Sequence, residues 1–215
     1  MDLIVWSGGF DSTAIVLEYI RQQKEFQTVY IQIDNNKDKM MFEESRRNTI
    51  RSLLPLEFRD KLIPSLTYLD VDRHIIHQSF HWLNMLFYGI STCDCFDNIA
   101  FGYVRGDDFW HKRHDFEKTF EHIWNLCCKD NCMKQPNLIY PLEWLNKEDI
   151  LTKCYLNDSM GREIFEYTWT CEIPQLKDGI YESCNECNSC NNFKKIKDLY
   201  DEKFKAKLPQ TKSNK

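Results

Sequence analysis

Met1-Asp2-Leu3-Ile4-Val5-Trp6-Ser7-Gly8-Gly9-Phe10-Asp11-Ser12-Thr13 opens the chain, and its pattern decides the fold class. The apolar residues 3–6 predict a buried strand. A polar turn then breaks the run, and Ala14, Ile15, Val16, Leu17, Tyr19 and Ile20 predict a helix. Strand, tight turn and helix together are the usual cradle of a nucleotide phosphate. Gly8 and Gly9 let the backbone bend and approach an anion, since neither carries a Cβ. The first N–H groups of the helix point at that anion, and the helix dipole adds to their pull. Ser7, Ser12 and Thr13 bring hydroxyl donors to the same nest. Asp11 is the odd member, because a carboxylate repels a bare phosphate. It fits if it receives a Mg²⁺ carried by the phosphates, or if it caps the helix. An ordinary glycine turn capped by Asp11 is the simpler alternative.

Downstream, strands and helices alternate. Residues 28–33 form a β-branched run that ends in Asp34-Asn35-Asn36, and residues 40–54 have helical apolar spacing. Residues 66–71 read as a third strand. Phe80, Leu83, Phe87 and Ile90 recur at helical spacing within residues 75–90. Residues 98–104 and 137–140 read as a fourth and a fifth strand. Asn146 is placed to cap a helix, with Asp149 completing a capping-box-like pair. Such alternation predicts an α/β fold with a parallel sheet of about five strands flanked by helices, joined by right-handed crossovers. Ligands of these sheets sit at the carboxyl ends of the strands. The first turn, Asp34 and residues 102–108 should therefore surround one cleft. There Asp34 would meet adenine or ribose, although an exposed loop aspartate reads the same way.

The 215 residues suit one domain with an appended element. The expected division is a nucleotide-binding α/β domain over 1–165, a metal-binding element over 166–200 and a polar, flexible tail over 201–215. The chain enters a strand directly, with no charged leader and no long apolar run. Neither a signal peptide nor a membrane span is expected, and the expected compartment is the cytoplasm. A net charge of −5 argues against a dedicated nucleic-acid binder, whose affinity rests on neutralising phosphates. The lysines after Lys194 read as a solvated terminus.

Ten cysteines in a chain of this kind point to metal rather than to disulfides. Cys184-Asn185-Glu186-Cys187-Asn188-Ser189-Cys190 holds two C-x-x-C units that share Cys187, and this knuckle converges three thiolates. Cys171 supplies a fourth ligand, giving a closed tetrahedral Cys₄ set of structural zinc type. Three close cysteines also suit an iron–sulfur cluster, but no further cysteine follows Cys190. Cys127, Cys128 and Cys132, with His122, Cys93 and Cys95, could form a second site or simply pack as reduced thiols.

Ser-Gly-Gly-x-Asp-Ser between a strand and a helix resembles the PP-loop of the ATP pyrophosphatases. Combined with the Cys₄ set, it resembles the 7-cyano-7-deazaguanine synthase family. Further matches are Tyr140-Pro141-Leu142-x-Trp144-Leu145-x-Lys147, Thr168-Trp169-Thr170-Cys171, and the spacing of Gly102 to Asp107. The resemblance runs thinly from the first residues to about Phe193. It implies a Rossmann-like fold of the adenine nucleotide alpha hydrolase type. It also implies an AMP-forming ligase that uses ATP, Mg²⁺ and Zn²⁺, with a carboxylated small molecule and ammonia as further substrates. The cofactor-binding residues would be Ser7, Gly8, Gly9, Phe10, Asp11, Ser12, Thr13 and Asp34, with Asp11 and Ser12 closest to the chemistry. Asp107, Asp108 and Arg113 would face the acceptor. Zinc would sit on Cys171, Cys184, Cys187 and Cys190, and the assembly would be a homodimer.

Two segments depart from the family pattern. Nothing between Asp70 and Trp82 reproduces its Pro-Gly-Arg-Asn. Phe109-Trp110-His111-Lys112-Arg113-His114-Asp115 stands where it carries Tyr-Pro-Asp-Cys-Arg, in a loop expected to border the deazaguanine. The acceptor thus stays open between 7-carboxy-7-deazaguanine, a different carboxylate or amide, and a tRNA base. A catalytically silent, zinc-stapled partner protein is the remaining alternative.

Overall fold

Alternate residues of the first strand, β1 (Asp2–Val5), enter two different cores. The computed structural model describes residues 1–33, 37–62, 65–69, 96–128 and 134–204. In it, β1 is the middle strand of a five-stranded parallel sheet, with β2 (Phe26–Ile33), β3 (Ser65–Leu69), β4 (Asn98–Ala100) and β5 (Asn137–Ile139). The strand order is β3-β2-β1-β4-β5. Leu3 joins Val29, Ile31, Ile99 and Phe101 on one face, beneath Phe116, Phe120 and Trp124 of a covering helix. Ile4, Trp6, Phe26 and Ala100 face the opposite core. Both faces of β1 are covered, so its apolar residues run continuously where a half-exposed strand would alternate.

The helices in chain order are α1 (Phe10–Arg21), α2 (Lys37–Leu53), the short α3 (Leu56–Arg59), α4 (Arg113–Cys128), α5 (Lys147–Ile150), α6 (Ser159–Phe165) and α7 (Asn188–Lys203). A π turn, Leu151–Tyr155, continues α5. The cap expected at Asn146 is present as a full capping box, in which Asn146 accepts from the Asp149 amide at 2.8 Å. Helix α1 is buried nearly all round, because Ile150, Leu151, Tyr155, Ile164 and Phe165 pack over the side turned away from the sheet. Arg21 at its end donates to Asp158 at 2.6 Å and to the Cys154 carbonyl at 2.7 Å.

The C-terminal element contains a hairpin, β6 (Gln175–Lys177) and β7 (Ile180–Glu182), turned by Asp178 and Gly179, both at positive φ. An Asp-Gly pair is the preferred two-residue hairpin turn. Phe42 of α2 packs with Trp169, Cys171 and Cys190, which joins this element to the rest of the chain. Helix α7 runs on to Lys203, with Tyr200 buried and Lys203 paired to Glu148, so ordered helix extends beyond residue 200.

The fourth strand ends earlier than the sequence pattern suggests, at Ala100. The third is described as far as Leu69, and the remainder of its expected span lies outside the described residues. The helix expected over 75–90 lies outside the described residues. Among those described, no helix is long and apolar enough to cross a membrane. The sheet order reverses at β1, since β2 and β3 follow on one side and β4 and β5 on the other. A crevice opens at such a switch point, and here it lies between the turns that follow β1 and β4.

Candidate nucleotide and metal sites

The turn from Trp6 to Gly9 is tied to itself. Ser12 Oγ accepts from the Ser7 amide at 3.3 Å and lies 3.2 Å from Ser7 Oγ, which in turn accepts from the Gly9 amide at 3.3 Å. Gly8 has φ +80°, a conformation a side chain would strain. The Trp169 carbonyl accepts from the Phe10 amide at 3.3 Å, so the cysteine-rich element supports the loop from outside. Gly102, just past β4, lies against the first turn of α1. A Cβ there would stand 2.9 Å from the Ser12 nitrogen, so only glycine permits this approach.

Asp11 projects from that first turn into the crevice. Its Oδ2 accepts from Lys147 Nζ at 2.6 Å, and Asp107 lies 3.8 Å from the same ammonium. Asp107 also accepts from the Val104 amide at 2.9 Å, which fixes the loop after β4. Burial pushes the Asp11 carboxyl above its ordinary range; Lys147 opposes the rise and Asp107 adds to it. Asp11 Oδ1 is buried and has no hydrogen-bond partner among the described residues. A buried carboxylate oxygen left open beside a glycine turn is the kind of donor a divalent cation takes.

The crevice encloses about 480 Å³. Its floor is Ser7, Gly9, Phe10, Asp11 and Ser12, one wall is Gly102, Tyr103, Asp107 and Lys147, and the other includes Lys39, Glu43, Trp169 and Glu172. On this second wall the Tyr30 hydroxyl donates to Glu43, and Lys39 pairs with Glu172. Burial raises the Glu43 carboxyl, against the pull of Lys39 and the Tyr30 hydroxyl.

Cys171, Cys184, Cys187 and Cys190 place their sulfurs within 4.8 Å of one another. Cys184 Sγ lies 3.5 Å from Cys171 Sγ and 3.9 Å from Cys190 Sγ. A tetrahedron with Zn–S bonds near 2.3 Å has edges of about 3.8 Å, so the set is compatible with zinc. Three amides donate to these sulfurs: Cys184 to Cys171, Cys187 to Cys184, and Cys190 to Cys187, at 3.3, 3.3 and 3.4 Å. Amide N–H groups of Glu186 and Cys187 bring the Cys184 thiol down to about 7, while burial pushes Cys171 and Cys190 up. A zinc ion between them would let the four sulfurs bind as thiolates and share the charge.

The structure thus gathers Ser7, Gly9, Phe10, Asp11, Ser12 and Asp107 at one crevice. Phe10 contributes to its floor while its ring stacks on Tyr155 in the core at 4.9 Å. Gly8 and Thr13 do not line the crevice. Thr13 is fully buried, and its hydroxyl accepts from the Trp6 indole at 3.0 Å, so it braces the strand-to-helix turn from inside. Arg113 is also away from the crevice. It pairs with Glu117 at 2.7 Å and Glu143 at 3.2 Å and lies over the Trp110 and Tyr140 rings. Asp34, the Asp108 side chain, and the side chains of Cys93, Cys95, Cys127, Cys128 and Cys132 lie outside the described residues.

Lys147 stood in the sequence only as the end of a family-like segment, and no periodicity pointed it at Asp11. Tyr30, Lys39, Glu43 and Glu172 carried no motif at all. Their meeting depends on how α2 and the cysteine knuckle pack.

The family model described as queuosine biosynthesis protein QueC matches residues 89–196, slightly more than half of the 215 residues. The match takes in Gly102, Asp107, Lys147 and all four clustered cysteines, and begins downstream of the Ser7–Thr13 turn. No curated protein matches the chain.

Proposed function

This chain belongs to the QueC family of queuosine-biosynthesis proteins, and on that premise we propose that it is an ATP-dependent, AMP-forming ligase. It adenylates a carboxylate for attack by ammonia. The observation that carries this reading is the contact of Lys147, inside the family match, with Asp11 on the glycine turn outside it. Two distant segments so meet at the one place where a parallel sheet of this order receives a ligand.

A carboxylate is a poor electrophile, because its leaving group would be an oxide. Attack by the carboxylate oxygen on the α-phosphorus of ATP forms the acyl-adenylate and expels pyrophosphate. Ammonia then adds to the acyl carbon, AMP departs with the electron pair of the C–O bond, and an amide remains. In the nitrile-forming version the amide oxygen is adenylated by a second ATP, and loss of AMP and protons leaves the nitrile.

Little proton transfer is asked of the protein; positioning and charge neutralisation carry the rate. The first-turn amides of α1, with Ser7 and Ser12, hold the departing pyrophosphate. Asp11, with its open Oδ1, would hold a Mg²⁺ carried by the phosphates, and that ion would supply charge neutralisation for the phosphate oxygens. Lys147, 2.6 Å from Asp11 Oδ2, supplies a positive charge for the α-phosphate. Asp107 holds the ammonium in reach. Zinc on the four cysteines is structural, since four thiolates leave no position for water or substrate.

A second reading keeps the adenylation and changes the acceptor. It is favoured by the loop after Asp107, where Phe109 is buried against Tyr103 with ring centroids 3.9 Å apart and Arg113 is held by two glutamates. Of the loop expected to border a deazaguanine, Phe109 is buried in the core, while His111, Lys112, His114 and Asp115 are exposed.

The deciding experiment is mass spectrometry of products from ATP, Mg²⁺, ammonia and 7-carboxy-7-deazaguanine. AMP, pyrophosphate and an amide or nitrile support the first reading. AMP released only with a different carboxylate or amide supports the second. ADP as the enzyme's own major product, or no turnover with any acceptor, overturns both.

A further inference from the structure

Arg47, on α2, is only 3% exposed, yet among the described residues no carboxylate lies within ion-pair distance of it. Its Nε is buried without a hydrogen-bond partner among those residues. Its guanidinium carbon lies over the Tyr30 ring, 3.6 Å from the centroid, and Tyr30 lines the crevice. Its stem runs under the glycine turn, so that a Cβ on Gly8 would stand 2.7 Å from Arg47 Cγ. A cation buried without a directly bonded anion is costly, and a methionine would fill the same space without that cost. Arginine does not shed its proton to escape.

We infer that Arg47 is the built-in countercharge of the Gly8 turn: a buried cation whose field, acting through the turn, raises the affinity of the crevice for pyrophosphate. The direction follows from the placement. On the inner side the Tyr30 ring presents its negative face to the guanidinium. Glu43 and Glu44 of α2 attract it from a distance, and Glu43 already accepts from the Tyr30 hydroxyl. What remains uncompensated is felt across the Gly8 backbone, where low dielectric and absent salt leave it unscreened. Arg47 does not line the crevice, so it acts through the loop as a positioning residue. The inference rests on the phosphate-binding reading of the turn and not on any particular acceptor.

The test is calorimetric titration of inorganic pyrophosphate with Mg²⁺ into the full chain at low and at high ionic strength. Wild type is compared with Arg47→Met and Arg47→Lys, and Arg47→Gln replaces the methionine variant where that one does not fold. We expect the neutral variant to lose about tenfold or more in affinity at both ionic strengths, because the buried charge is little screened by salt, and the lysine variant to keep most of it. Undiminished affinity in a folded neutral variant overturns the inference. So does an equal loss in the lysine and neutral variants with matching drops in melting temperature, which would make the stem's packing the cause. Failure of the wild type to bind pyrophosphate also overturns it. AMP production is read separately: a wild type that binds pyrophosphate through Arg47 but makes no AMP removes the ligase reading alone.

Discussion

Lys147 Nζ lies 2.6 Å from Asp11 Oδ2, across 136 residues of chain. The pair occupies the mouth of the glycine turn and holds a positive charge where a phosphate would arrive. Replacing Lys147 by Met should leave the fold intact and lower AMP formation by about 100-fold or more, the usual cost of removing one preorganised charge-stabilising group. Steady-state AMP release, with circular dichroism as the control for folding, checks this. AMP release within a few-fold of wild type would remove Lys147 from the reaction.

Asp11 is raised above its ordinary 3.8, chiefly by burial, although Lys147 opposes the rise. The folded state therefore binds its proton more tightly than the unfolded chain does. Stability linked to this group is complete below 3.8 and is lost as pH climbs through the higher folded value. Asp11→Asn should accordingly melt higher than wild type at neutral pH while making no AMP, and the gain in melting temperature should vanish toward pH 3.8. Melting curves across that range provide the check, and a variant less stable at neutral pH contradicts it.

Gly102 lies against the glycine turn, and an added Cβ would meet the Ser12 nitrogen at 2.9 Å and the Asp11 carbonyl carbon at 3.1 Å. Both are backbone atoms, so neither can swing aside. Gly102→Ala should push the turns apart, weaken nucleotide binding by about tenfold and destabilise by about 1–3 kcal/mol. Nucleotide titration together with denaturant unfolding tests both halves, and unchanged affinity would show that the approach is not needed for binding.

Zinc should be found at about one ion per chain by elemental analysis of anaerobically purified protein. Because its binding energy is available to folding, a chelator or Cys187→Ser should lower the melting temperature and promote aggregation before chemistry changes. Stoichiometric iron with a visible absorption band would identify a cluster instead.

Asp158 caps α6 by accepting from the Gly161 amide at 2.6 Å and also takes the Arg21 guanidinium. Burial alone would raise its carboxyl, but these two partners outweigh that and bring it below its ordinary 3.8. A depressed carboxyl stabilises above its unfolded value and stops doing so as pH falls through the folded one. Asp158→Asn should therefore lose stability at neutral pH, and its deficit should shrink below about pH 3.8. A deficit that stays constant with pH would assign the loss to capping geometry alone.

Much of the framework was legible because it is written in short-range preferences. The alternation of periods along the chain gave five strands in the observed order along the sequence. Asn146 and Asp149 announced their capping box through residue type and spacing alone. The cysteine knuckle was readable because ligands two residues apart converge in almost any turn. The hairpin between Cys171 and Cys184 carried a signal too, in Asp178-Gly179. Thr13 misled for a physical reason. Its hydroxyl suits a phosphate nest, but its position on α1 turns it toward the Trp6 indole in the core.

The sequence by itself determined the strand–turn–helix at the start, the α/β class and the four-cysteine knuckle, because each depends on backbone preference and on side chains a few residues apart. Only the tertiary structure decided that Lys147 closes on Asp11, that Gly102 abuts the glycine turn, that Arg47 lies beneath Gly8, and that Arg113 is spent on Glu117 and Glu143 away from the crevice. Those pairings follow from the strand order β3-β2-β1-β4-β5 and from which helix covers which face. That order is set by the summed burial of two cores, to which each residue adds a small and non-directional share. No local pattern records such a sum, so the residues that meet at the crevice became visible only once the sheet was assembled.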